Sequence, residues 1–150
     1  MRRYGEPVRP DITYTRRVGA YALIADGADL LLTLQDDPGP DLQLPGGGID
    51  PGEGVLAALH REVREETGWK IAPVRRLGAY QRFTYMPEYD LWAHKICHIY
   101  LCRPVYRLGE STEDGHTALW MTAADAANLL NSPGDRAFAS RFASGARSLG

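Results

Sequence analysis

Pro45-Gly46-Gly47-Gly48, then Pro51-Gly52-Glu53, then Arg61-Glu62-Val63-Arg64-Glu65-Glu66-Thr67-Gly68-Trp69 is the stretch that decides the reading of this chain. Gly47, Glu53, Arg61, Glu62, Glu65, Glu66 and Gly68 stand at fixed offsets, with Val63 and Trp69 apolar between and after them. At average residue usage such a set recurs at on the order of one in a billion starting points. The glycine run permits backbone angles and close ligand approach that side chains forbid. Pro51-Gly52 marks a second turn, and a helix is expected from near Glu53 to Gly68, the glycine stop signal. Leu56, Leu59 and Val63 at i, i+3 and i+7 make the stripe expected to face a core. At 100° per residue Glu62, Glu65 and Glu66 fall within one arc of about 100° beside that stripe.

Helix neighbours three and four apart have Cβ atoms about 5–6 Å apart. Two partly buried carboxylates there repel by about 3 kcal/mol at an effective dielectric near 20. Three such groups call for a counter-charge, and hard divalent cations with oxygen ligands, Mg2+ or Mn2+, supply it while keeping positions open for water and phosphate. The competing reading is a solvated acidic face, where each pair costs under about 1 kcal/mol and Arg61 and Arg64 compensate in part. The glycine loop and the complete spacing favour the metal site.

The pattern G-x5-E-x7-R-E-U-x-E-E-x-G-U, with U apolar, resembles the signature of Nudix hydrolases from Gly47 to Trp69. The resemblance implies an α/β fold, the Nudix α/β/α sandwich with a mixed central sheet. It implies a pyrophosphohydrolase that cleaves a nucleoside diphosphate linked to another group X, with Mg2+, or alternatively Mn2+, as cofactor. It also implies roles. Glu65 and Glu66 are the main metal ligands, helped by the Gly46 carbonyl and Glu62. Glu53 and Arg61 pair to hold the loop on the helix, and the catalytic set is Glu66, Glu62, Arg61 and Glu53. The general base is expected from Glu66 or Glu62; Glu113 and Asp114 lie where a later loop can supply one, but ordinary solvated loop acids are the favoured reading of those two. A nucleotide-sensing or binding module on the same scaffold is the alternative function, since fold does not fix function. Such modules often lose the box glutamates, which this chain keeps.

Substrate residues lie outside that stretch. Tyr80, Phe83, Tyr85, Tyr89 and Trp92 are expected in one loop, where a ring could stack on a base. Tyr85 stands sixteen residues past Trp69 and Pro87 eighteen. By the resemblance a tyrosine there accompanies dinucleoside polyphosphate hydrolases and a proline ADP-ribose pyrophosphatases, with a slight preference for the former. Arg82, with Tyr85, Phe83 and Glu113, completes the expected substrate-binding set, and Arg16, Arg17, Arg75 and Arg76 are further candidate phosphate clamps.

The chain of 150 residues, 44% apolar, suits a single domain over residues 16–150 preceded by an arm at residues 1–15 rich in proline and charge. Fifteen of its seventeen basic residues are arginine, but no basic block or nucleic-acid-binding motif is present. No apolar run follows Arg2-Arg3 and no run of eighteen apolar residues exists, so neither a signal peptide nor a membrane span is expected. Cys97 and Cys102, five apart in a strand-like run, point to opposite faces, and His94 and His98 lie about 13 Å apart along it, too far to share a metal. A reduced cytoplasmic protein is the simpler reading, and a homodimer through the arm follows family habit. Strands are expected at 18–25, 30–34, 42–44, 74–80, 95–103 and 119–121, with a helix capped by Thr122 and a last one over 135–143 that pairs Phe138 with Phe142.

Overall fold

The computed structural model describes residues 1–37 and 39–149. Strands β2 (Thr15–Asp26) and β3 (Asp29–Gln35) form the expected hairpin, with Gly27 at φ +59° in its turn. They pair only from Ile24↔Leu31 to Asp26↔Asp29 and then part. The fork is filled by the segment entering the glycine run. Strand β4 (Asp41–Gln43) pairs with β3, and β5 (Gly46–Gly48) pairs with β2. Helix α1 (Val55–Thr67) follows. Strands β6 (Trp69–Met86) and β7 (Leu91–Arg107) make a long antiparallel hairpin closed by a 3-10 turn at Pro87–Tyr89. β7 runs parallel to β2 from Thr15↔Ala93 to Ile24↔Cys102. Strand β8 (His116–Thr122) lies antiparallel to β3, and β1 (Arg2–Gly5) parallel to β6. The sheet is therefore mixed.

Alternation along the strands builds two cores, one on each face. Leu23, Cys97, Ile99 and Leu101 pack with Ala126, Leu130, Phe138 and Phe142 of α2 (Ala123–Leu129) and α3 (Pro133–Leu149) and the link between them. Ala22, Ile24 and Cys102 pack with Leu59 and Val63 of α1 on the other face. Cys97 and Cys102 are both buried and free, one in each core. The result is the expected three-layer α/β/α arrangement.

The differences from expectation have local causes. β6 and β7 extend well past 74–80 and 95–103, because hairpin pairing carries strand geometry through polar residues, with register shifts absorbing Pro73 and Gly78. Arg2–Gly5, inside the segment read as an arm, adds to the sheet as an edge strand. Leu56 does not face the core and is 47% exposed. It has the right angular position but sits in the first turn, where Val55 makes the contact instead. α1 starts two residues later than expected, because Glu53 is used by the preceding loop: its carboxylate accepts the Asp50 amide at 3.1 Å. α3 continues past residue 143. Thr122 caps α2 as expected, its hydroxyl accepting the Asp125 amide at 3.1 Å.

Gly68 ends α1 in the left-handed region at φ +77°, its amide donating to the Arg64 carbonyl at 2.8 Å. A Cβ at this position would lie 2.1 Å from the Gly109 carbonyl oxygen. Gly68→Ala is therefore expected to cost at least about 1–2 kcal/mol, read as a lower denaturant midpoint in urea. An unchanged midpoint would show that the contact between Gly68 and the 109–115 loop is dispensable.

Candidate metal centre and cleft

Arg61 is the hub of the site. Its Nε and Nη2 donate to the two Glu53 carboxylate oxygens at 2.8 and 2.9 Å, a fork-on-fork pair, and Nη2 also reaches the Gly48 carbonyl at 3.2 Å. Nη1 donates to Glu62 at 3.0 Å and Glu65 at 3.4 Å. One guanidinium thus fastens the glycine loop to the helix and faces three glutamates at once. It holds Glu53 far below the usual carboxylate range, at about 2, with the Asp50 amide adding to the effect.

The other carboxylates are driven the opposite way. Glu66 is 4% exposed, and burial raises its pKa well above the ordinary value despite the Gly46 amide donating to it at 3.2 Å. Burial also raises Glu62, against the pull of Arg61. Gly47 packs directly against Glu62: a Cβ there would lie 2.6 Å from the carboxylate, which would have to shift. Gly46, at φ +150°, lets the chain pass where a Cβ would come within 2.3 Å of the Ala20 carbonyl oxygen.

The 109–115 loop brings a further acid. The Glu65 carbonyl, at the open C-terminal end of α1, accepts the amides of Thr112 and Glu113 at 2.9 and 3.0 Å and the Ser111 hydroxyl at 2.8 Å. This docking sets Glu113 beside the helix. Carboxylate oxygens of Glu62, Glu65 and Glu113 lie within 4.8 Å of one another, as do ligand atoms of Glu66, Glu113 and His116. Glu62, Glu65, Glu66 and Glu113, of which Arg61 bonds only Glu62 and Glu65, make an oxygen-rich donor set that fits a hard divalent ion.

Glu62, Glu66 and Glu113 line one end of a cleft with two adjoining lobes, of about 380 and 400 Å3, while Glu65 lines neither lobe. Tyr21, Gln35, Gln43 and Lys95 are common to both, and Met86 and Glu88 from the β6–β7 tip wall each of them. The first lobe includes Gly46, Glu62, Glu66 and Glu113. The second includes Arg82, Tyr85, Asn131 and Asp135. Of the residues expected to meet substrate, Arg82, Tyr85 and Glu113 line the cleft. Phe83 does not: it stacks on His94 at 4.2 Å and packs edge-on to Tyr14. Tyr80 is not a loop residue. It points into the core, its hydroxyl donating to Asp135 at 2.7 Å and meeting Ser132 at 3.0 Å. Asp114 is exposed and joins neither acidic group.

His116 was not anticipated. Its Nδ1 lies 3.0 Å from the Thr33 hydroxyl, which is fully buried, and its Nε2 lies 3.8 Å from Glu113. The available signal was Thr33 itself, a lone hydroxyl in the apolar run Leu30–Leu34 that had to find a buried partner.

A family model described as the NUDIX domain matches residues 13–142. The chain is 35% identical over 74 residues to the Bacillus subtilis (strain 168) protein named "Putative 8-oxo-dGTP diphosphatase", covering 49% of this chain and 50% of that one. It is 49% identical over 49 residues to the Escherichia fergusonii protein named nucleoside triphosphatase NudI, covering 31% and 35%. The chain thus spans half or less of the curated relatives it matches. Its fold is similar to that of a NUDIX hydrolase from Nitrosomonas europaea, with a TM-score of 0.72 at 21% identity over 87% of this chain and 90% of that one. It is also similar to a MutT protein from Methanosarcina mazei Go1, with a TM-score of 0.70 at 22% identity over 88% and 96%.

The Arg61–Glu53 pair has a pH signature. The unfolded chain restores Glu53 to about 4.5, so the folded state gains in full above that value and loses the gain as pH falls from 4.5 towards 2. The stability difference between the wild type and Glu53→Gln is expected to narrow across that window in chemical denaturation. A difference that stays constant there would detach Glu53 from Arg61.

Proposed function

The chain belongs to the NUDIX family, and on that premise we propose that it is a divalent-metal-dependent hydrolase of the phosphoric anhydride bond in nucleoside diphosphates linked to a second group. The observation that carries this reading is the convergence of Glu62, Glu66 and Glu113 at one end of a cleft whose other lobe has room for a nucleoside, with Glu65 grouped beside Glu62 and Glu113. Glu65, Glu66 and Glu62, with the Gly46 carbonyl and Glu113, would hold Mg2+ or Mn2+. Such an ion, when bound, neutralises the diphosphate and lowers the pKa of an attacking water.

The chain's own residues do the rest. Arg61 and Glu53 position the glycine loop. Glu62 and Glu66, which line the cleft beside the glycine run, are the candidates to accept the proton of the attacking water. Lys95, Arg82 and Tyr85 offer contacts to the substrate along the cleft. The names of the partial relatives favour nucleoside triphosphates, in which the second group is phosphate. The position of Tyr85, 40% exposed at the cleft wall with its hydroxyl bonded to Asp90, keeps dinucleoside polyphosphates as the competing substrate. Two buried free thiols suit a cytoplasmic setting.

The test is a substrate panel of nucleoside triphosphates, dinucleoside polyphosphates and ADP-ribose, with and without Mg2+ or Mn2+, in water labelled with heavy oxygen. Metal-dependent release of a nucleotide is expected. Glu66→Gln, shown folded by circular dichroism, is expected to lose more than the roughly 10–100-fold typical of removing a group that only orients a ligand. Binding of nucleotide with no turnover in any metal would instead favour a sensing module.

A further inference from the structure

Three cations stand side by side across the sheet along this cleft. Arg82 on β6 pairs in register with Lys95 on β7, and Lys95 pairs in register with Arg17 on β2. Residues opposite one another on neighbouring strands point to the same face. Lys95 lies two residues before Cys97, so this is the face of the α2–α3 core. Arg82 lines the nucleoside lobe, Arg17 lines the glutamate lobe, and Lys95 lines both.

Like charges placed directly opposite destabilise a sheet, and the protein does little to relieve this row. Among the described residues none of the three joins a salt bridge. Arg82 Nε is buried without a hydrogen-bond partner. Arg17 lies over the Tyr89 ring at 4.4 Å, and Lys95 Nζ is 5.7 Å from the centre of the Tyr21 ring, contacts that leave their charge unneutralised. Asp135 is within electrostatic reach of Lys95 and Arg82 and offsets one charge of the three, while its oxygens already accept from Tyr80 and the Leu44 amide. Glu88 lies at the wall, where it is exposed.

We infer that Arg17, Lys95 and Arg82 form a phosphate-gripping row, so that the substrates preferred at this site carry a phosphate chain longer than the single anhydride that is broken. The row crosses two strand spacings, about 10 Å, and runs away from the glutamates towards the second lobe. Its reach exceeds what one diphosphate held at the metal end can occupy. The inference rests on the hydrolase reading for its catalytic consequence, but the binding of an anionic chain stands apart from turnover.

The test compares the wild type with Lys95→Gln and Arg82→Gln, using Arg103→Gln as a control on an exposed β7 position outside both lobes. Nucleoside di-, tri- and tetraphosphates serve as substrates. Calorimetric titration with inorganic tripolyphosphate and with pyrophosphate, in chelator and in Ca2+, serves as the binding readout. Lys95→Gln is expected to weaken tripolyphosphate binding roughly 10–100-fold and pyrophosphate binding less. In kcat/KM its deficit is expected to grow with the number of phosphates and to fall mainly on KM. Equal losses for short and long chains, or tripolyphosphate binding unchanged in both variants, would overturn the inference. A wild type that binds tripolyphosphate through Lys95 yet hydrolyses nothing would sink the hydrolase reading and leave the row standing.

Discussion

Mutual repulsion among acidic side chains around a single guanidinium is the constraint on which the site depends. Glu62, Glu65, Glu66 and Glu113 approach within 4.8 Å in overlapping groups of ligand atoms, while Arg61 also holds Glu53 and the Gly48 carbonyl. Each close pair of ionised carboxylates costs about 3 kcal/mol at an effective dielectric near 20. Arg61 cannot neutralise them all, and two of its five hydrogen bonds go to Glu53, which is the partner it lowers to about 2. Glu62 and Glu66, left with less help and more burial, have raised pKa values. The same arginine therefore divides the glutamates into one that fastens the loop and others that stay electrostatically unsatisfied, open to a cation.

The fold makes that crowding unavoidable. β2 and β3 part after their hairpin end, and the Asp41–Gly48 segment wedges between them, which fixes the glycine run against the C-terminal half of α1. The absence of a Cβ at Gly47 brings the backbone onto Glu62. On the other side, the open carbonyl of Glu65 captures the 111–113 segment and delivers Glu113. Helix termination, sheet forking and the acidic cluster are thus one construction, and Gly68 is its hinge point, since its carbonyl also accepts the Leu108 amide at 2.7 Å.

The local part of this construction was legible in the sequence because its spacings are short. The glycine run, the helix stop at Gly68 and the Thr122 cap follow from local geometry, and the Arg61–Glu53 pair followed from the family resemblance. The hairpin of β2 and β3 followed from the turn residues Asp26 to Asp29. What was not legible depends on long-range register. His116 meets Thr33 across 83 positions, and Tyr80 meets Asp135 across 55, so nothing near Tyr80 in the chain marks it as a core residue. The row of Arg17, Lys95 and Arg82 exists only once three strands are aligned. Leu56 carried the right period and failed because Val55 takes the core contact in the helix's first turn, which periodicity alone does not encode.

The central claim is that the glutamate cluster exists to hold divalent ions. The most direct measurement is a crystal structure of the protein grown with Mn2+, with anomalous differences recorded at a wavelength sensitive to manganese. One or more peaks within coordination distance of Glu62, Glu65 and Glu66, next to the Gly46–Gly48 turn, are expected. Carboxylates splayed into solvent with no peak at that turn would contradict the account.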